Sequence, residues 1–216
     1  MRYSRQEQID MYMKYMNTIE REGKDEFIEW LINDTDFFGV APASGRFHNN
    51  YPGGLFDHSM NVLNYARNLY VFSKKNYPDY PDIPAESIII SALHHDLCKV
   101  NFYGKEKAWV KHEYNWVEYE TYKAGMNESE LKNFGHGDKS VVLMLKHGFN
   151  DLTDQEMLAI KHHMGKWGGD INTDMAMDDS LVKLVHLADN CVGMVEKTID
   201  YKEIALQKHI KKINGN

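Results

Sequence analysis

The feature that most constrains this chain is a His-Asp pair at the end of a nearly unbroken apolar run. From Ser87 to His94 the side chains are apolar apart from Ser87, Ser91 and the terminal histidine. His95 and Asp96 follow at once, then Leu97, Cys98 and Lys99. A helix that is apolar all round lies inside a protein. An ionised aspartate buried beside an imidazole is costly unless a cation or a full set of hydrogen bonds compensates. Any fold that buries the run must therefore bring compensating groups to its end. Four candidates lie elsewhere in the chain: His58, His136, His163 and Asp189. The order His, His-Asp, His, His, Asp is that of a metal site assembled from separate helices.

Composition narrows the alternatives. At 216 residues the chain suffices for one domain with a substantial core. The expected division is residues 1–45 for N-terminal helices and a loop, 46–197 for the core, and 198–216 for a tail helix. The 43% hydrophobic and 26% charged residues are ordinary for a globular protein. No apolar stretch approaches the about 20 residues of a membrane span, and the first residues lack the apolar core of a signal peptide. Cys98 and Cys191 are the only cysteines, so no disulfide framework is indicated. The expectation is a cytoplasmic protein without a membrane partner. A net charge of −7 argues against a grip on long nucleic acid, which relies on Lys and Arg against phosphates. It leaves room for a small phosphorylated substrate, and it is compatible with self-association.

Periodicity predicts mostly helix. Segments 5–22 and 24–33 are amphipathic. A Gly/Ala/Pro/Ser-rich loop from Gly39 to Gly54 leads into a helix over about 55–75, whose stripe is Leu55, Val62, Ala66 and Leu69. The buried helix follows at 85–98. Residues 101–123 alternate aromatic and charged side chains and read as a β-hairpin, a lid whose Trp109, Trp116 and tyrosines offer stacking surfaces. Helices resume at about 138–148, 154–164 and 179–197. The second opens on a capping box, Thr153 with Glu156.

Helical phase aims the candidates inward. His58 lies three residues after Leu55 and four before Val62. His95 and Asp96 lie seven after Ile88 and Ile89. His163 follows Ile160 by three, and Asp189 precedes Val192 by three. His136 falls just before its helix. Each position alone has an ordinary explanation as a satisfied core histidine, a cap or a loop residue. Three histidines and two aspartates on apolar faces together favour a metal. Neutral imidazole with carboxylate suits Mn²⁺, Fe²⁺, Ni²⁺, Co²⁺ or Zn²⁺, with Mg²⁺ also compatible.

Five pieces in this order, Gly53-Gly54-Leu55-Phe56-Asp57-His58-Ser59, Leu93-His94-His95-Asp96-Leu97-Cys98-Lys99, Gly135-His136-Gly137-Asp138-Lys139-Ser140, His163-Met164-Gly165 and Leu187-Ala188-Asp189, resemble the HD-domain metal-dependent phosphohydrolases. They are most similar to small bacterial and phage-type members that carry a hairpin insert. The resemblance runs from about residue 45 to 195. It implies an all-α HD-domain bundle, here with the hairpin insert, holding a divalent transition metal through His58, His95, Asp96 and Asp189. In dinuclear members two further positions, matched by His136 and His163, complete a second site. Aligning the glycine of the fourth piece on Gly165 selects His163 over His162. Met164 stands where some members carry one more histidine, so a third ion is not expected.

The resemblance implies hydrolysis of a phosphoester of a nucleotide or similar small substrate by a metal-activated water. Asp96 and Lys99 are the candidate catalytic residues. Lys99, one turn beyond His95, would reach the mouth of the site and hold a phosphate oxygen. Arg46, His48, Asp138 and Lys139 are candidate substrate contacts. Other readings stay open: a phosphodiesterase or exonuclease, a di-iron oxygenase on the same ligands, or a nucleotide-binding module without catalysis. The −7 charge and the absence of a Gly-Tyr-Pro segment after His163 count against the diesterase.

Overall fold

The computed structural model describes residues 3–126, 131, 133–168 and 173–215. Helices α1 (Arg5–Met16) and α2 (Lys24–Asn33) lead through the Gly39–Gly53 loop to the long α3 (Gly54–Asn76) and then α4 (Ala85–His94). Strands β1 (Tyr103–His112) and β2 (Asn115–Ala124) follow, then α5 (His136–Lys146), α6 (Asp154–His162), a short α7 (Thr173–Ala176), α8 (Ser180–Val195) and α9 (Tyr201–Ile213). Among the described residues the architecture is a helical bundle with one two-stranded antiparallel sheet. Among the described residues no helix is long and apolar enough to cross a membrane.

The core sits where α3, α4, α6 and α8 converge, with α5 against α6. Leu55, Leu63, Ile90, Leu93, Ile160, Leu184, Val185 and Ala188 are all buried there. Tyr12, Phe27, Phe37, Phe38 and Phe56 form an aromatic annex that fixes the N-terminal helices to it. Thr153 and Glu156 make the reciprocal capping box expected of them. Glu156 also receives Arg21 at 3.0 Å and Ser87 at 2.7 Å, so this one carboxylate links the α1–α2 turn, α4 and α6. A second capping box, Ser4 with Glu7, opens α1.

Several boundaries differ from periodicity. The first helix stops at Met16 rather than 22, because Asn17 caps it and Thr18 turns its hydroxyl onto the Tyr15 carbonyl. The buried helix stops at His94 rather than 98: Asp96 leaves the helical region, and Leu97–Lys99 form a 3₁₀ turn. His136 opens α5 instead of preceding it. The hairpin pairs Tyr103 with Ala124 through His112 with Asn115, close to the expected span. Its tip and flanks leave Trp109, Tyr114 and Trp116 exposed. The short α7 was not legible as a helix.

His94 shows how the core treats an imidazole that is not a ligand. Its Nδ1–H donates to the Ile90 carbonyl, and Nε2 accepts from the Tyr12 hydroxyl, both at 2.8 Å. Both nitrogens are used in the neutral form, and burial pushes the pKa down to about 4. In the unfolded chain a histidine titrates near 6.5, so between those values the unfolded chain binds the extra proton. His94 therefore favours folding above about pH 6.5, and that contribution is lost as pH falls toward 4. Urea unfolding of the wild type should show stability declining across this window. His94→Gln, which cannot charge, should flatten the decline; an unchanged slope would exclude His94 as its source.

Candidate metal centre

The His-Asp pair stands where α4 gives way to the 3₁₀ turn. Ser140 of α5 pins that turn, donating to the His95 carbonyl at 2.9 Å and accepting the Cys98 N–H at 3.0 Å. His58 arrives from the first turns of α3, His163 from the C-cap of α6, Asp189 from the middle of α8 and His136 from the start of α5. The approach of α5 to α6 requires Gly137: a β-carbon there would lie 2.0 Å from the Lys161 carbonyl oxygen. Any side chain would push His136 away from His163.

The geometry divides about Asp96. On one side His58 Nε2 lies 3.2 Å from His95 Nε2, 3.1 Å from Asp189 Oδ1 and 3.5 Å from Asp96 Oδ2. His95 Nε2 lies 3.6 Å from Asp96 Oδ2 and 3.7 Å from Asp189 Oδ1. On the other side His136 Nε2 is 2.8 Å, and His163 Nε2 3.6 Å, from Asp96 Oδ1. All four histidines come within 3.6 Å of Asp96, and Asp189 closes on His58 and His95. His58, His95 and His163 are fully buried, Asp96 nearly so, and His136 is the most open, with a third of its side chain exposed.

Hydrogen bonds on the far side of each ring fix what the inner nitrogens offer. Nδ1 of His58 faces a carboxylate oxygen of Glu196 at 2.8 Å, and Nδ1 of His95 faces the Ala92 carbonyl at 2.8 Å. Nδ1 of His163 faces the Ile160 carbonyl at 2.6 Å. Each Nδ1 is thus the donor, and in the neutral ring each Nε2 presents a lone pair inward. Two such lone pairs confront each other at 3.2 Å between His58 and His95, with two carboxylates beside them. The inner nitrogen of His163 is buried with no hydrogen-bond partner. Buried polar atoms are ordinarily satisfied, and this arrangement is satisfied by a cation. Without one, a proton has to substitute. Burial alone would lower the His58 pKa, but its hydrogen bonds to Asp189 and Glu196 raise it to about 9. Asp96 is held well below the usual carboxylate range although burial opposes this, by Lys99 first and then by His95, His136 and His163. The donor set fits a divalent transition metal: imidazole nitrogen and carboxylate oxygen in a buried, convergent cluster.

Lys99 departs from its expected place. The 3₁₀ turn sets it three residues past Asp96 on an eclipsed face. Its ammonium rests on Asp96 Oδ2 at 2.5 Å instead of projecting from a continued helix. The structure also separates the candidate substrate contacts. His48 lies against His58 with ring centres 4.8 Å apart and planes tilted by 34°, and its Nε2 is buried without a partner. Arg46 is exposed and lines a separate cleft beside β1, β2 and the start of α9. Asp138 turns outward into an ion pair with Lys161 at 3.2 Å, and Lys139 is buried over the Phe102 ring. Arg46, Asp138 and Lys139 are therefore not part of the cluster. His163, not His162, faces Asp96, since His162 turns toward Thr173 at 3.3 Å.

Two residues escaped the sequence reading. Glu196 caps α8 and binds His58 from behind, while Asn61 donates to its other oxygen at 2.7 Å. Its signal was its position seven residues after Asp189, which puts both on one helical face. Cys98 lies buried with its sulfur 3.0 Å from His136 Nδ1. Carboxylates behind a ligating imidazole fix the ring and raise its basicity, typically by roughly 10–100-fold in metal affinity. Glu196→Ala should weaken metal binding by about that factor, measured by competition with a chelator, whereas Glu196→Gln should recover most of it. Equal affinity in wild type and Glu196→Ala would show that the carboxylate does not support His58.

Among known families, a model of the HD domain matches residues 55–194, a span that includes all six clustered side chains. Neither the curated proteins nor the solved structures offer a match to the chain. The match covers most of the chain, and the helical architecture and the His/Asp cluster at the end of α4 agree with it. The chain belongs to the HD-domain family.

Proposed function

We propose that the protein is a metal-dependent hydrolase of phosphoesters, acting on a nucleotide or a similarly small phosphorylated substrate. The observation that carries the reading is the division of the cluster about Asp96. One oxygen faces Lys99, His58 and His95, with Asp189 opposite, and the other faces His136 and His163. His58, His95, Asp96 and Asp189 would hold one ion, and His136 and His163 with Asp96 a second. Bound there, divalent ions supply Lewis acidity and lower the pKa of water toward neutrality.

The chain's own residues do the rest. Burial of His58, His95 and His163 excludes bulk water and strengthens every charge interaction at the centre. The partly open His136 marks the side from which a substrate enters. Lys99 is the cation nearest Asp96. With a phosphoester in the site, its ammonium would hold a phosphate oxygen and stabilise the charge that develops there. His48, beside His58 with an unpartnered nitrogen, is the substrate contact that the geometry supports. The acidic overall charge favours a small substrate over a long polyanion.

Purified protein loaded with Mn²⁺, Co²⁺ or Ni²⁺ should hydrolyse members of a panel of nucleotides and aryl phosphates, and chelation should abolish the activity. Asp96→Ala should remove both tight metal binding and turnover. Lys99→Ala should retain metal and lower kcat by roughly 10²-fold, with a smaller change in KM, because developing charge exceeds ground-state charge. Metal-loaded protein inactive on every phosphoester, with a visible iron band under oxygen, would overturn the reading in favour of oxygenase chemistry.

A further inference from the structure

A second cavity lies away from the metal centre, between β2 and α9. It has a volume of about 560 Å³, within the range of small-molecule sites. One wall is the strand segment Val117–Tyr122, and the other is a single face of α9 made by Tyr201, Ile204, Ala205, Lys208, His209 and Lys212. The helix contributes no fully buried side chain, so this face is not consumed by packing. It is held in place from its N-terminal end. Tyr201 donates to the Asn50 carbonyl at 2.8 Å, and the Asn50 side chain bonds both the N–H and the carbonyl of Ile199.

The lining specifies a ligand chemistry. Tyr119, Tyr122 and Tyr201 supply aromatic walls, the last two in edge contact with ring centres 6.3 Å apart. Such rings accept a flat aromatic body. Lys208 and Lys212 stand one turn apart on the same face, and among the described residues neither has an ion pair. The two carboxylates in the same lining are already engaged, Glu118 by Lys107 at 2.9 Å and Glu120 by Lys105 at 3.7 Å, which leaves Lys208 and Lys212 beside the aromatic cavity as cations complementary to an anion. His209 lines the same cavity with its Nε2 buried and unpartnered, and the neighbouring His112 ring buries an unpartnered Nδ1. Of the two, His209 alone lines the cavity, and its unsatisfied nitrogen calls for a polar partner that the protein does not provide.

We propose that the cleft between β2 and α9 binds a small aromatic anion. Its ring lies among Tyr119, Tyr122 and Tyr201, its phosphate or carboxylate rests on Lys208 and Lys212, and a polar edge meets His209. The site is independent of the metal centre and of the reaction assigned to it.

The test uses the full chain and two probes, anilinonaphthalene sulfonate followed by fluorescence and naphthoate by calorimetry. One saturable equivalent is expected, with each probe displacing the other. The double variant K208E/K212E should weaken binding at least about tenfold, and Ala205→Phe, which fills the cavity, should abolish it. Asp96→Ala should leave binding unchanged. The proposal is overturned by absence of saturable binding, or by binding that survives both cleft variants while their thermal unfolding matches wild type. It is also overturned by loss of binding in Asp96→Ala, which would place the probe at the metal centre. Sedimentation showing a dimer that K208E/K212E dissociates would assign the face to a second copy of the chain instead.

Discussion

The structure depends on one electrostatic conflict: the inner nitrogens of His58 and His95 face each other at 3.2 Å, buried, with carboxylates on either side. Neutral rings repel there, and fully charged rings would be desolvated at great cost. A cation resolves both problems at once. The elements that carry the cluster, α3, the end of α4, α5, α6 and α8, are the same ones whose apolar faces make the core. Because the ligands come from separate helices, metal binding is coupled to the packing of the bundle, and part of the binding energy becomes folding stability.

Around that centre the fold supplies orientation. Every imidazole of the cluster has its outer nitrogen engaged: a carboxylate behind His58, backbone carbonyls behind His95 and His163, and the Cys98 sulfur beside His136. His186 adds a further restraint by bonding the His163 carbonyl at 2.6 Å. The 3₁₀ turn after Asp96 is the most consequential local departure from regular helix. It folds Lys99 back onto the carboxylate, where its ammonium compensates the buried charge of Asp96.

Much of this was legible in the sequence because it follows from helical phase. Positions such as His58 and Asp189 stood out as polar residues on apolar stripes, and the Thr153–Glu156 box marked a helix start that the structure reproduces. The end of α4 was not legible, since apolar residues resume at Leu97 and Cys98 right after the His-Asp pair and no glycine or proline announces the turn. Its cause is tertiary, in the hydrogen bonds of Ser140 from α5. Asp138 and Lys139 read as site residues by adjacency to His136. Successive residues on a helix point in different directions, and these two turn to Lys161 and Phe102. Glu196 was missed for the opposite reason, lying in phase with Asp189 but at a helix end where a carboxylate looks like surface. The placement of α9 on the hairpin has no signal in its own pattern, because packing and not periodicity decides which partner an amphipathic helix meets.

The most direct test is anomalous diffraction from crystals of the protein soaked in Mn²⁺ or Co²⁺, recorded at the metal edge. The account predicts two peaks roughly 3.5–4 Å apart with Asp96 between them, one against His58, His95 and Asp189 and the other against His136 and His163. Crystals that show no peak among these six side chains would contradict it.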